Sequence, residues 1–156
     1  MTGKGYGRVA VAGLVCAKPG ERTRLVYRVL VRRGQPGEVK GFGPARFAAL
    51  LDAVHAQLGG PLVVVWDNDR RHLSRAMRTA VEVRPWLTVF QLPAYAPELN
   101  PAEGVWSVLK RGLANLAPHD VDQLTALVKT KLKRMQYRPA LLDGFIAQTG
   151  LILEPL

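Results

Sequence analysis

A single cysteine, Cys16, stands in 156 residues. That excludes an intramolecular disulfide and argues against a thiolate metal cage, as expected of a chain kept in a reducing, intracellular setting. Acidic residues are scarce: 12 Asp and Glu face 22 Lys and Arg, for a net charge of +10. Such a balance favours a polyanionic partner, nucleic acid before membrane surface. Most of the cations are arginine, whose planar fork suits phosphate oxygens and base edges. Long hydrophobic runs are missing too. The longest near the N-terminus, "VAVAGLVCA" at 9–17, is too short to span a bilayer. It could imitate a signal-peptide core, but Gly13 and the polar "AKPGERTR" after it read better as a strand entering a hairpin turn. No repeat, low-complexity tract or linker divides the chain, so a single domain over 1–156 is expected, with 48% apolar content ample for one core.

What is present falls into alternating elements. Residues from Tyr6 to Cys16 and from Thr23 to Val31, on either side of "KPGE", read as an antiparallel hairpin. In "GPARFAALLDAVHAQLGG", Phe47, Leu50, Leu51, Val54 and Leu58 recur at helical spacing, and Gly59 and Gly60 end the helix. "PLVVVWD" is apolar without alternation, the pattern of a parallel strand covered on both faces. A helix from about Leu73 to Val83, the strand "LTVFQL", and helices over about Pro101–Ala114 and Val121–Met135 follow. This order predicts an α/β sheet flanked by helices, with ligands gathering at the carboxyl ends of strands.

Two carboxylates occupy such places. Asp67 ends one strand and Glu103 begins the helix that follows the next. Brought together they would repel unless a cation lay between them, and Mg2+ (or Mn2+) prefers such hard oxygen ligands. Each has a plainer reading. Asp67 suits a turn, with "DND" as an ordinary loop, and Glu103 falls at N3 of a helix with Asn100 as N-cap and Pro101 at N1, where it would close a capping box. His72 and Asp69 are candidates for supporting roles, or solvated loop residues. Pro93 and Pro97 should stiffen the path from strand to helix, and Tyr95 either packs or stacks on a base.

The ordered set "VVVWDN", His72 and "LPAYAPELNPAEGVW" resembles bacterial insertion-sequence transposases of the mariner-like group, in the DDE superfamily. The resemblance runs from about Arg8 to Leu151. It implies a ribonuclease H-like mixed sheet flanked by helices, and metal-dependent DNA cleavage and strand transfer with Mg2+ or Mn2+. Asp67 matches the family's second catalytic, metal-binding acid and Glu103 its third, 36 positions on, with Asn68, Asn100 and Pro101 in support. The first acid has no counterpart: Glu21 lies in the hairpin turn, Glu38 in a loop and Asp52 on a helix. The resemblance therefore implies that the first, central strand and an upstream helix-turn-helix are missing, with strand edges left bare and prone to rearrangement, swapping or docking of another strand. A catalytically inactive DNA-binding or assembly remnant is the alternative function, and a cellular ribonuclease H-like nuclease a more distant one.

Basic residues near the expected site form a candidate DNA-binding set: Arg71, Arg75 and Arg78 on one helical stripe, His72, and Lys110 and Arg111 on the later helix. Lys129, Lys131, Lys133, Arg134 and Arg138 make a second group, opposite an apolar stripe of Val121, Leu124, Leu127 and Met135; either group is also what a solvated helix face contains. The partners implied are transposon-end and target DNA, bound with steep salt dependence, and a second copy or an upstream transposase polypeptide, in the cytoplasm or nucleoid and without membrane contact.

Overall fold

The computed structural model describes residues 7–38, 41–67 and 69–151. They fall into two compact units: one takes the described residues up to Gly41 and those from Pro101 onward, the other Phe42–Asn100.

In the first unit, strands β1 (Arg8–Cys16) and β2 (Arg24–Arg32) form an antiparallel pair in which Val9 faces Val31 and Cys16 faces Arg24. The β-branched, alternating sequence suits this pleat. One face carries Val9, Val11, Val15, Leu25, Tyr27, Val29 and Val31, and it packs on helices α4 (Ala102–Leu113), α5 (Val121–Gln136) and α6 (Pro139–Gln148). Val105, Leu109, Val128, Leu132 and Leu142 are fully buried there. Each such side chain contributes about 1.5–3 kcal/mol through removal from water. Asp120 caps α5, accepting from the Gln123 N–H at 2.7 Å. Polar ties cross the same interface: the Thr23 hydroxyl donates to Asp143, and Gln136 Nε2 donates to the Leu25 carbonyl at 2.8 Å. Helix α6 is not anticipated by the apolar periodicity of the sequence.

Cys16 closes β1 as a buried free thiol. Burial pushes it from 9.0 up to about 11, against the opposing pull of the Arg24 charge. Because the folded state holds this proton more tightly than the unfolded chain, the contribution is complete below about pH 9 and is lost as pH rises towards 11. In urea titrations, wild type is therefore expected to lose on the order of 2 kcal/mol more stability than Cys16→Ala between pH 8 and pH 10.5.

The second unit is built on α1 (Pro44–Leu58), β3 (Leu62–Trp66), α2 (Arg70–Leu73), α3 (Arg75–Glu82) and β4 (Leu87–Gln91). Pro44 opens α1 and Gly59, at φ 68°, ends it, a conformation that favours glycine. Just beyond, His55 Nδ1 lies 3.0 Å from the Gly60 carbonyl while its ring stacks 3.9 Å from Trp86, so this histidine is structural. Asp52 is structural as well. The Arg84 guanidinium donates to both its oxygens, at 2.8 and 2.9 Å, and holds its carboxyl below the usual range. Helix α1 packs on α3, and α3 on β4.

Strands β3 and β4 pair in parallel, Leu62 beside Leu87 and Trp66 beside Gln91. Two expectations change here. Burial alternates along β3: Leu62 and Val64 are buried whereas Val63 is 66% exposed, so the strand is covered on one face and not on both. The helix expected over 73–83 begins at Arg70 and is broken at Ser74, whose hydroxyl takes the Met77 N–H at 3.1 Å and caps α3. A serine that can accept from the backbone at N3 favours a fresh start over continuation. Among the described residues the two strand pairs remain separate sheets, β1 with β2 and β3 with β4.

Candidate active site

Asp67 follows the last residue of β3, where the ladder ends with the Leu92 N–H donating to the Trp66 carbonyl at 2.7 Å. Its carboxylate then turns the chain. Oδ1 accepts the Asp69 N–H at 3.1 Å, and the Asp69 carbonyl accepts the His72 N–H at 2.9 Å as α2 begins. This is the turn chemistry the plainer reading of Asp67 foresees, yet the side chain stays 46% exposed. Turn and ligand roles are compatible.

His72 is brought onto Asp67. Its Nδ1 lies 3.1 Å from Asp67 Oδ1 and 3.3 Å from the Asp67 carbonyl. The ring stacks on Trp66, centroids 4.6 Å apart at 14°, and meets Phe47 edge-on at 5.3 Å and 75°. Only 14% of the side chain is exposed. Phe47 and Trp66 are thus part of the site's support. Sequence reading assigns them only to an apolar stripe and a strand, because a contact across 25 positions leaves no local signal. Asn68 lies outside the described residues.

Glu103 stands in the first turn of α4, exposed, in the other unit. The segment before it carries Pro93 and Pro97. Tyr95 sits at φ 59°, a left-handed conformation costly for a side-chain-bearing residue, and it is fully exposed; packing is therefore not its role. A 3-10 turn over Pro97–Leu99 follows, with the Asn100 N–H donating to the Pro97 carbonyl at 3.0 Å. The helix starts one residue later than expected: its N-cap is Pro101, which has no side-chain cap bond, and this moves Glu103 from N3 to N2. The turn at Pro97–Leu99 uses up the residues that would have started the helix earlier. Glu103 still gains from the helix dipole, which favours a carboxylate in the first turn. Packing holds the helix start: Val105 is fully buried, and Gly104 lies against the Phe145 ring.

The basic set divides. Arg75 and Arg78 are exposed on α3. Arg71 belongs to the separate helix α2, so the expected stripe is interrupted by the break at Ser74. Lys110 and Arg111 are exposed in the last turn of α4, and Lys129, Lys133, Arg134 and Arg138 are exposed on and just after α5.

The other upstream acids are engaged elsewhere. Glu38 accepts the Arg33 and Gly34 N–H groups, Glu21 pairs with Arg24 at 3.9 Å, and Asp52 pairs with Arg84. Among the described residues, no three His, Cys, Asp or Glu side chains gather into a metal-holding group.

Residues 40–125 match the family described as DDE superfamily endonuclease, more than half of the chain. The chain belongs to the DDE superfamily endonucleases. Its structure is similar to the catalytic domain of the Mos1 mariner transposase, with 16% identity and a TM-score of 0.52 over 94% of this chain and 83% of that one. A structure of that catalytic domain with Raltegravir and Mg gives the same identity and TM-score, covering 94% and 85%. The Mos1 paired-end complex with left transposon end matches at 17% identity and a TM-score of 0.54, over 95% of this chain and 55% of that one. No curated protein sequence matches. At such identities the likeness speaks for the fold, and it bears out the expected α/β, ribonuclease H-like class for this DDE endonuclease. Within it, Asp67 stands at the carboxyl end of a parallel strand, where open α/β sheets place their ligands.

Proposed function

We propose that this DDE endonuclease is the catalytic domain of a transposase, of the bacterial insertion-sequence kind related to mariner, which cuts and joins DNA with a divalent metal. Asp67 carries the reading: a half-exposed carboxylate at a strand's carboxyl end, oriented by two donors. Asp67 and Glu103 are the proposed metal ligands. Their chemistry fits, since Mg2+ and Mn2+ are held by a few carboxylates plus substrate phosphates. When bound, the metal supplies Lewis acidity for phosphodiester chemistry. Water attacks phosphorus at the transposon end, the P–O3′ bond breaks and a 3′ hydroxyl leaves; that hydroxyl then attacks a target phosphodiester, displacing another 3′ oxygen. No covalent enzyme intermediate is formed. Arg75, Arg78, Lys110 and Arg111, with Arg71, are proposed to hold the DNA backbone, while Asn68, Asn100 and Pro101 support the acids. Partners are transposon-end and target DNA and a second copy. Action at the nucleoid belongs to the same proposal; among the described residues no helix is long and apolar enough to cross a membrane.

The engagement of the Glu21, Glu38 and Asp52 carboxylates with Arg24, the Arg33 and Gly34 N–H groups and Arg84 favours a second reading, a DNA-binding or assembly remnant without turnover. Incubation of the chain with supercoiled plasmid and Mg2+ or Mn2+ separates the two. Nicking that EDTA abolishes is expected for the first. Binding without nicking, weakened steeply by salt, supports the second, and failure to bind DNA at low salt overturns both.

A further inference from the structure

The imidazole of His72 is held by two rings and by Asp67. Trp66 supports one face and Phe47 presses on it edge to face, so the ring has little freedom to turn. Held that way, Nδ1 points at two oxygens of one residue, Oδ1 and the backbone carbonyl of Asp67, at 3.1 and 3.3 Å. A carbonyl oxygen and an ionised carboxylate can only accept hydrogen bonds. The proton must therefore sit on Nδ1, whichever charge state the ring adopts. Oδ1 receives a second donor, the Asp69 N–H, at 3.1 Å, so the same carboxylate oxygen is held from two directions.

We propose that His72 is a positioning residue: its Nδ1–H, aimed by the Trp66 and Phe47 rings, fixes the Asp67 carboxylate through Oδ1 and assigns Oδ2 to the divalent cation. This rests on the reading of Asp67 as a metal ligand. The physical gain is preorganisation. A free carboxylate rotates about its terminal bond and must be immobilised when the ion arrives, whereas one already held gives up little further entropy. The arrangement also accounts for a histidine that is mostly buried although a DNA contact would require exposure: it is turned inward, onto the acid.

The test compares His72→Phe, which keeps a ring between Trp66 and Phe47 but has no donor, with His72→Asn, whose amide N–H lies near the position of Nδ1. Binding of Mn2+ to the full chain is followed by electron paramagnetic resonance. His72→Phe is expected to weaken Mn2+ binding about 10-fold or more, the usual scale for losing a partner of a metal ligand, while His72→Asn should bind within about threefold of wild type. Wild-type affinity in His72→Phe, or an equal loss in both variants, overturns the positioning role. Asp67→Asn provides the separate control. If it binds Mn2+ like wild type, the ligand reading of Asp67 fails; if it loses binding while His72→Phe does not, only the role of His72 fails. A measurement on the unaltered, metal-free chain guards against a misfolded variant. Long-range 1H–15N spectra are expected to show a proton on Nδ1 of His72, and an unprotonated Nδ1 overturns the proposal.

Discussion

Replacing Glu103 by Gln is expected to leave the fold in place while lowering metal-dependent DNA nicking more than about 100-fold, since losing even an outer partner of a metal ligand costs roughly 10–100-fold. The substitution keeps size and shape and removes only the charge. Glu103 is exposed in the first turn of α4. Stability therefore suffers only the lost interaction with the helix dipole, about 0.3–1 kcal/mol, readable as a small shift in urea midpoint. Activity and stability should separate cleanly. Nicking at the wild-type rate by a folded Glu103→Gln chain would remove Glu103 from the site.

The neighbouring position is expected to behave in the opposite way. A Cβ added at Gly104 would come 2.4 Å from Phe145 Cδ1 and 2.6 Å from its Cγ. These are ring atoms close to the backbone of α6, which no rotation of a flexible tip can clear. Ala gains up to about 1 kcal/mol in helix propensity over Gly, against overpacking of roughly 1–3 kcal/mol or more. Gly104→Ala should thus lose about 1–2 kcal/mol. Gly104→Val, branched and with no propensity advantage as large, should lose about 3 kcal/mol or more in urea unfolding. Pairing Gly104→Val with Phe145→Leu should recover part of that loss, a coupling that distant sites do not show. Additive losses in the double variant would mean that the contact is not the cause. Because Glu103 precedes this contact directly, any shift of the helix start also displaces the carboxylate.

The elements were largely legible because their signals are local. Valines and leucines at period two wrote the hairpin, and Leu50, Leu51 and Val54, all buried in α1, wrote a helix. Helix α6 was not, since "PALLDGFIAQ" mixes apolar residues with an interior glycine and offers no clear stripe. The break between α2 and α3 turns on one hydrogen bond at Ser74, and a serine of that kind reads equally well as a helix interior. The one-sided burial of β3 was hidden for another reason. An unbroken apolar run states that both faces can be covered, not that both are.

The two proposed site carboxylates and the motif that carries them were legible in the sequence alone, because a Pro-rich turn and an ordered string of residues are properties of consecutive positions. The sequence also determined the excess of positive charge, which is a sum and needs no geometry. The tertiary structure decided what His72 does. Phe47, Trp66 and His72 lie on α1, β3 and the short helix α2, and only folding brings their rings into contact. Once they meet, packing fixes the imidazole plane, and the plane fixes which nitrogen faces Asp67. That direction is set by side-chain contacts between elements, for which no spacing in the chain provides a substitute.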